Sequence, residues 1–412
     1  MASNPTPGMG GFFPGMLDDL LKLLQTDSPF PFELAEQLAQ TVAAEDSGST
    51  NPDPVERIRL EGLLEVAALH VADVTGMSTT LAGPPLRVVA VNRAEWAKRL
   101  LSSDRAMFER LAQALKPSPP PQVDSDPTEA SDEEAQAAAF FAKWTGAMAP
   151  AMVAMQFGSL VGHLARRTLG QYSVPIPSDA GNDLAIVTEN LSAYSEDWSI
   201  PLDDLRLAVL VRDVTTHTIL SRPHVRTRLA DLLVRHAEGL QPSPGALEER
   251  LGEASGADLG DVSALMGILG DPSTIGELLD TPEFREVRAE LGALGATISG
   301  YVEWVCDTVG ARAIGTNGVI REALRRSRAA VADEDRGSDV LFSDLTNQSA
   351  IDRGEAFVRG VLERGGESDL AKLWVADENL PTPKELDDPV AWIERINLEH
   401  LFDSTEGPAL DE

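Results

Sequence analysis

The chain has 412 residues, 43% of them hydrophobic, and 66 acidic against 34 basic side chains leave a formal net charge of −32. That length and apolar content can bury the core of one large domain or two ordinary ones, while the charge argues against nucleic acid and anionic membranes, which both attract Lys and Arg. A single cysteine, Cys306, excludes an internal disulfide framework and a cysteine-built zinc site.

Residues 1–15 are rich in Gly, Pro, Met and Phe. No basic segment followed by a long apolar run opens the chain, and no stretch of about 18 apolar residues stands out, so the expectation is a cytoplasmic protein without a membrane span. Residues 16–25 predict a short amphipathic helix, with Leu17, Leu20, Leu21 and Leu24 on one face. It either docks a partner or folds back onto its own domain. A second helix is expected over 32–44, and both fall in an N-terminal extension covering 1–50.

One domain is then expected over 51–405. Its first helices are predicted at 54–75 and 93–115, around a strand over residues 87–91 with Asn92 as the following helix cap. Residues 117–135 combine proline and carboxylates with almost no apolar content. Such a segment cannot build a core, so it reads as a disordered surface loop. A long helix rich in Ala and Met follows over 136–169 and contains Pro150. The pattern then changes, with an extended stretch from Ser173 and a β-rich run at 184–188. After Pro201, Asp203 and Asp204 a central helix begins. Further helices are expected at 223–238, 245–253, 260–268, 282–309, 317–333 and 349–364, with a solvated acidic loop at 333–339 that lacks calcium-loop spacing. The fold class is mainly α, an α+β arrangement with a small sheet beside the central helix.

That central helix carries the chemistry worth weighing. Leu205, Leu207, Val209, Leu210, Val211, Val214, Ile219 and Leu220 make it apolar nearly all round, which suits a buried position. Arg212 and Thr216 share a face one turn apart, and Asp213 and His217 form a second such pair. A buried Arg is costly unless paired. Three readings follow. Arg212 pairs with Asp213 or with a distant acid such as Glu303, and the cluster is structural. Alternatively, Asp213 and His217 hold a metal together with His224 or Glu303. In the third, Arg212 binds a ligand or peptide carboxylate through its planar fork. His70, His163, His236 and His400 are isolated, and no nucleophile-elbow or phosphate-loop motif is present.

Several segments along the chain resemble one family. They are residues 16–24, 61–67 with 74–76, 91–96, 158–172, 299–303, 322–330, and 373–374 with 386–389. Together they are similar, from about 16 to 395, to a bacterial zincin-like family of zinc-dependent metalloproteases and provisionally assigned hydrolases. The resemblance implies a zincin-like fold with a helix of the form H-E-x-x-H, two His holding zinc and the Glu acting as general base. It also implies a third ligand from a later E-G-Y segment. In this chain Arg212 and Thr216 stand at the His positions, Asp213 at the position of the general base and Ser299 at the third ligand. Val214, Tyr301 and Glu303 keep the pattern.

No metal is therefore expected at the usual positions, and no cofactor. The expected function is that of a family homologue inactive as a hydrolase, a pseudoenzyme whose cleft, with Arg212, Tyr301 and Glu303, holds a peptide or protein segment. One alternative is an active metallohydrolase with zinc on a shifted site of Asp213, His217, His224 and Glu303. The other is a structural interaction module whose old cleft is filled.

Overall fold

The computed structural model describes residues 30–45, 51–80, 84–116, 132–177, 181–241, 279–334, 341–342, 345 and 347–403. The predicted helices at 16–25, 245–253 and 260–268 lie outside the described residues, as do 117–131 of the acidic stretch and 335–340 of the later acidic loop.

The first helix, α1 (Phe32–Ala43), packs along the long helix α5 (Asp132–Arg167). Phe30, Phe32, Leu34, Ala35 and Ala39 are buried in the main core. Phe30 meets Phe32 and Phe157 edge to face, with ring centroids 4.6 and 5.8 Å apart. These residues fall within the expected N-terminal extension, yet from Phe30 onward they form part of the core. The α5 stretch Met148–Arg167 has a mean hydropathy of 1.2, enough by length and composition to cross a membrane. That corrects the expectation that no such stretch exists. Its Ala154, Phe157, Val161 and Ala165 are buried against the protein's own core.

Helix α2 (Pro54–Thr75) starts where Asp53 caps the Val55 N–H at 2.9 Å and Pro54 occupies the first turn. Strand β1 (Arg87–Val91) ends at Asn92, whose side chain accepts from the Glu95 N–H at 2.8 Å and starts α3 (Arg93–Ser103). The single helix expected over 93–115 is two. The backbone leaves helical geometry at Asp104 (φ −141°, ψ 68°), and the Asp104 carboxylate caps α4 (Arg105–Ala114) through the Met107 N–H at 2.8 Å. Strand β2 (Asp183–Val187) pairs parallel with β1, Val88 opposite Leu184 and Val91 opposite Val187. Helix α6 (Thr188–Asp197) follows directly.

The central helix is α7 (Leu202–Leu220), continued across a short turn by α8 (Pro223–Gly239). Asp203 and Asp204 sit in its first turn, where carboxylates suit the positive end of the helix dipole. Arg206, only 1% exposed, reaches the Glu56 carboxylate at 2.6 Å and ties α7 to α2. Asp204 receives the Thr316 hydroxyl at 2.7 Å. On its other sides α7 contacts α9 (Pro282–Ala313) and α10 (Asn317–Glu334).

Helix α11 (Gln348–Leu370) crosses α9 at very short range. A Cβ added to Gly300 would overlap the backbone of Gly354, and one added to Gly354 would overlap the Ala296 carbonyl. Glycine at both positions lets the two main chains touch. Two short 3-10 turns, 371–374 and 377–379, lead to α12 (Pro389–Asp403), whose Trp392 indole donates to the Asn379 carbonyl at 2.7 Å. The fold is mainly helical with one two-stranded sheet among the described residues, as the sequence leads one to expect.

Candidate functional site

Fourteen residues of α7 are buried, and its three threonines solve their own hydrogen bonding. Thr215, Thr216 and Thr218 each donate to the carbonyl four residues earlier, at 2.7, 3.0 and 2.7 Å. A hydroxyl satisfied inside its own helix can be buried at little cost. Thr216 thus bonds back to the Arg212 carbonyl and presents its methyl-bearing side to its surroundings.

Arg212 is half-buried, and its Nη2 donates to Glu303 Oε1 of α9 at 2.9 Å. Arg328 of α10 donates to the same oxygen at 2.8 Å. Glu303 is 4% exposed. Burial alone would push its carboxyl up, but the two guanidiniums outweigh burial and hold it below the usual carboxylate range. Burial opposes the charge on Arg212 as well, and Glu303 reverses that and raises its pKa. For Arg328, burial and repulsion from Arg212 together exceed the help of Glu303, so its pKa is lowered. Of the two acids weighed as partners of Arg212, Glu303 is the one its guanidinium bonds. Asp213 is its neighbour in sequence and is turned about 100° round the helix.

Asp213 faces the loop between α5 and β2. It is 1% exposed and accepts from the Gln171 N–H at 2.6 Å and the Tyr172 N–H at 3.2 Å. The loop comes this close because residue 170 is glycine, where a Cβ would overlap Asp213 Oδ2. Loop and sheet are stitched together: the Val187 N–H donates to the Leu169 carbonyl at 3.1 Å, and the Trp96 indole and the Thr168 hydroxyl both donate to the Gly170 carbonyl. Burial pushes the Asp213 carboxyl up to about 7, against the pull of its two N–H donors and Arg212. One turn further along, His217 Nδ1 lies 3.1 Å from the Tyr172 hydroxyl, and burial lowers its pKa to about 4.

A cavity of about 470 Å³ opens between α7, α9 and α10. Arg212, Asp213, Thr216, Ser299 and Glu303, the residues singled out by the resemblance, all line it. Its walls are otherwise largely apolar, with Val209, Ile298, Val302, Ile320 and Leu324 among them. Cys306 also lines it, its thiol pushed up to about 12 by burial.

Two expectations need correction. Tyr301 is absent from the cavity lining. It is 1% exposed and packs edge to face on Trp304 and Trp374, at 5.2 and 5.3 Å. Two residues beyond Ser299 on a helix is about 200° round the axis, so both cannot face one cavity. The shifted metal site is not assembled either. Asp213 is engaged by the loop backbone, His217 by Tyr172, and Glu303 by two arginines. His224 sits on α8 in the field of Asp377 and Arg222. Among the described residues no group of three His, Cys, Asp or Glu could hold a metal ion.

Arg212, Thr216 and Ser299 do not suit zinc. A guanidinium has no lone pair to give, and hydroxyls of Thr and Ser are poor replacements for imidazole and carboxylate. The cation held by that part of the cavity is Arg212. Sequence reasoning missed two residues here. Arg328 sits in a run with Arg325 and Arg326 that reads as a solvated basic face, and those two are exposed while Arg328 is not. Tyr194 of α6 also lines the cavity, its hydroxyl buried beside Ser327. No spacing links it to α7.

The sequence profile of a family described as zincin-like metallopeptidase matches residues 31–393. A solved structure from Chloroflexus aurantiacus, provisionally described as a hydrolase with a novel fold, superposes with a TM-score of 0.60 at 21% identity. The match covers 89% of this chain and 99% of that one. At that identity it speaks for the fold alone. A comparison with curated proteins found no match.

Proposed function

The chain belongs to the zincin-like metallopeptidase family, and from that premise we propose that it is a non-hydrolytic member whose cleft holds a peptide or protein segment. A hydrolytic zincin needs a cation with an open coordination position and a carboxylate to take the proton of the attacking water. Here Arg212, Thr216 and Ser299 occupy the ligand positions, and none of the three supplies the nitrogen or carboxylate that zinc takes. No hydrolytic step is derived from them.

The observation that carries this reading is the Arg212–Glu303–Arg328 triad at 2.9 and 2.8 Å, inside a cavity that the degenerate positions line together. Arg212 offsets Glu303 as a bound cation would, so the polar centre of the fold is retained without a metal. The cavity beside it keeps room and an apolar wall, which favours binding over a filled cleft. This reading predicts less than about 0.1 zinc per chain by elemental mass spectrometry after dialysis against a defined zinc concentration, since a formed site fills. It also predicts no cleavage of a mixed peptide library, with retention of a subset of its peptides. Stoichiometric zinc together with peptide cleavage would overturn it.

A further inference from the structure

Resting on the peptide-binding reading above, we infer that the cavity recognises a free carboxylate carried on an apolar body, gripped by Arg212, Arg328 and the Tyr194 hydroxyl. Three independent observations converge on that pole. The first is an unspent donor set. Arg212 lines the cavity with 22% of its side chain exposed, and its hydrogen bond to protein uses Nη2 alone. A guanidinium offers five N–H groups in a planar fork, so Nε and Nη1 remain for a ligand.

The second is the charge balance. Two guanidiniums converge on a single oxygen of Glu303, leaving one positive charge in excess at the triad. The other acids of the lining are engaged elsewhere. Asp213 accepts two backbone N–H groups, and Asp307 is bonded by Arg321 at 2.6 Å. A carboxylate balances that excess.

The third is the Tyr194 hydroxyl. It is buried beside the Ser327 side chain, close enough to Arg212 and Arg328 to feel both charges, and burial raises its pKa to about 12. It therefore stays protonated and can donate to an anion drawn to the two arginines. The remaining lining, Val209, Ile298, Val302, Ile320 and Leu324, supplies the apolar surface for the body attached to the carboxylate. About 470 Å³ accommodates a residue or two and not a folded domain.

A peptide C-terminus and a free organic acid share this chemistry. The test measures binding of three probes to the full-length protein by titration calorimetry: acetyl-Leu-Ala-Leu with a free C-terminus, the same peptide as its C-terminal amide, and hexanoate. The free-acid peptide is expected to bind at least 10-fold more tightly than the amide. Tyr194→Phe and Arg212→Lys should each weaken the acid several-fold and leave the amide unchanged, with circular dichroism confirming that both variants fold. Binding of hexanoate but of neither peptide supports the carboxylate pole and overturns the peptide reading on which it was built. Equal binding of acid and amide overturns the carboxylate pole and leaves the peptide reading standing. Binding of none of the three overturns both.

Discussion

Two buried carboxyl groups line the same cavity and are held by opposite means. Glu303 is 4% exposed and meets two guanidiniums; Asp213 is 1% exposed and meets two backbone N–H groups. Each therefore has two donors. Glu303 is driven below the usual carboxylate range, yet Asp213 is raised to about 7. In this interior, opposing full charge decides the ionisation of an acid, and dipolar donors do not substitute for it. The difference also separates the roles of the two regions. The Glu303 side is a charged centre joining α7, α9 and α10, while the Asp213 side clamps the loop at residues 170–172 to the central helix.

The comparison breaks most visibly if its charged half is emptied. Arg212→Met combined with Arg328→Met strands Glu303 and should cost roughly 3–5 kcal/mol, as removing the partners of a buried charge does. Either substitution alone should cost clearly less, because the other arginine still reaches the same oxygen, so the two losses should not add. Urea denaturation of the three variants checks this. A double-variant loss equal to the sum of the two single losses would mean that the arginines do not share Glu303.

The uncharged half is sharpened by pH. Asp213 rises from 3.8 to about 7 on folding, so its contribution is fully present below about 4 and is lost as pH climbs through 7. His217 falls from 6.5 to about 4, so its contribution is present above 6.5 and is lost as pH falls through 4. The two oppose each other between pH 4 and 7, each on the order of a few kcal/mol. Relative to the parent, Asp213→Asn should gain stability as pH rises across that window, and His217→Gln should lose it. If both variants track the parent's urea midpoint at every pH, the two groups do not titrate as the structure indicates.

Smaller effects follow from packing. Gly170→Ala puts a methyl against Asp213 and should cost about 1–3 kcal/mol by overpacking, read as a drop in melting temperature. Gly292, where an added Cβ meets nothing, is the control and should tolerate Ala without loss. Tyr172→Phe removes the hydroxyl beside His217 and should cost about 1 kcal/mol. Its His217 ring signals in NMR should shift if that hydrogen bond exists in solution.

Much of the scaffold was legible because it is locally encoded. Strand β1 lies at the predicted residues, and Asn92 caps α3 as predicted, since a polar cap after an apolar run is a short-range signal. The central helix was legible for the opposite reason, an apolar surface on every side that a solvent-facing helix cannot have. Asp104 shows where local reading fails. Ser-Ser-Asp-Arg continues a helical pattern by propensity, yet the Asp side chain captures the Met107 N–H and starts a second helix. In the site, residues 212, 213, 216, 299 and 303, which the resemblance singles out, line one cavity. It does not single out the parts contributed by α6 and α10. Tyr194 and Arg328 reach the cavity only because of how the helices pack, and nothing in the neighbouring sequence distinguishes half-buried Arg328 from exposed Arg325 and Arg326. Tyr301 lies away from the cavity because neighbours in a sequence motif turn to opposite faces of a helix.

Where α9 crosses α11, main chain rests on main chain at Gly300 and Gly354. No side chain sets the separation of those helices, so no gradual change of side-chain size can adjust it. Ser299 and Glu303 stand on either side of that crossing along α9. Substitutions around the cavity can thus alter what it accepts while these two positions hold their place. Mutational tolerance should therefore be sharply uneven in a deep scan of the chain: wide along the apolar lining, and close to nil at two glycines that touch neither ligand nor charge.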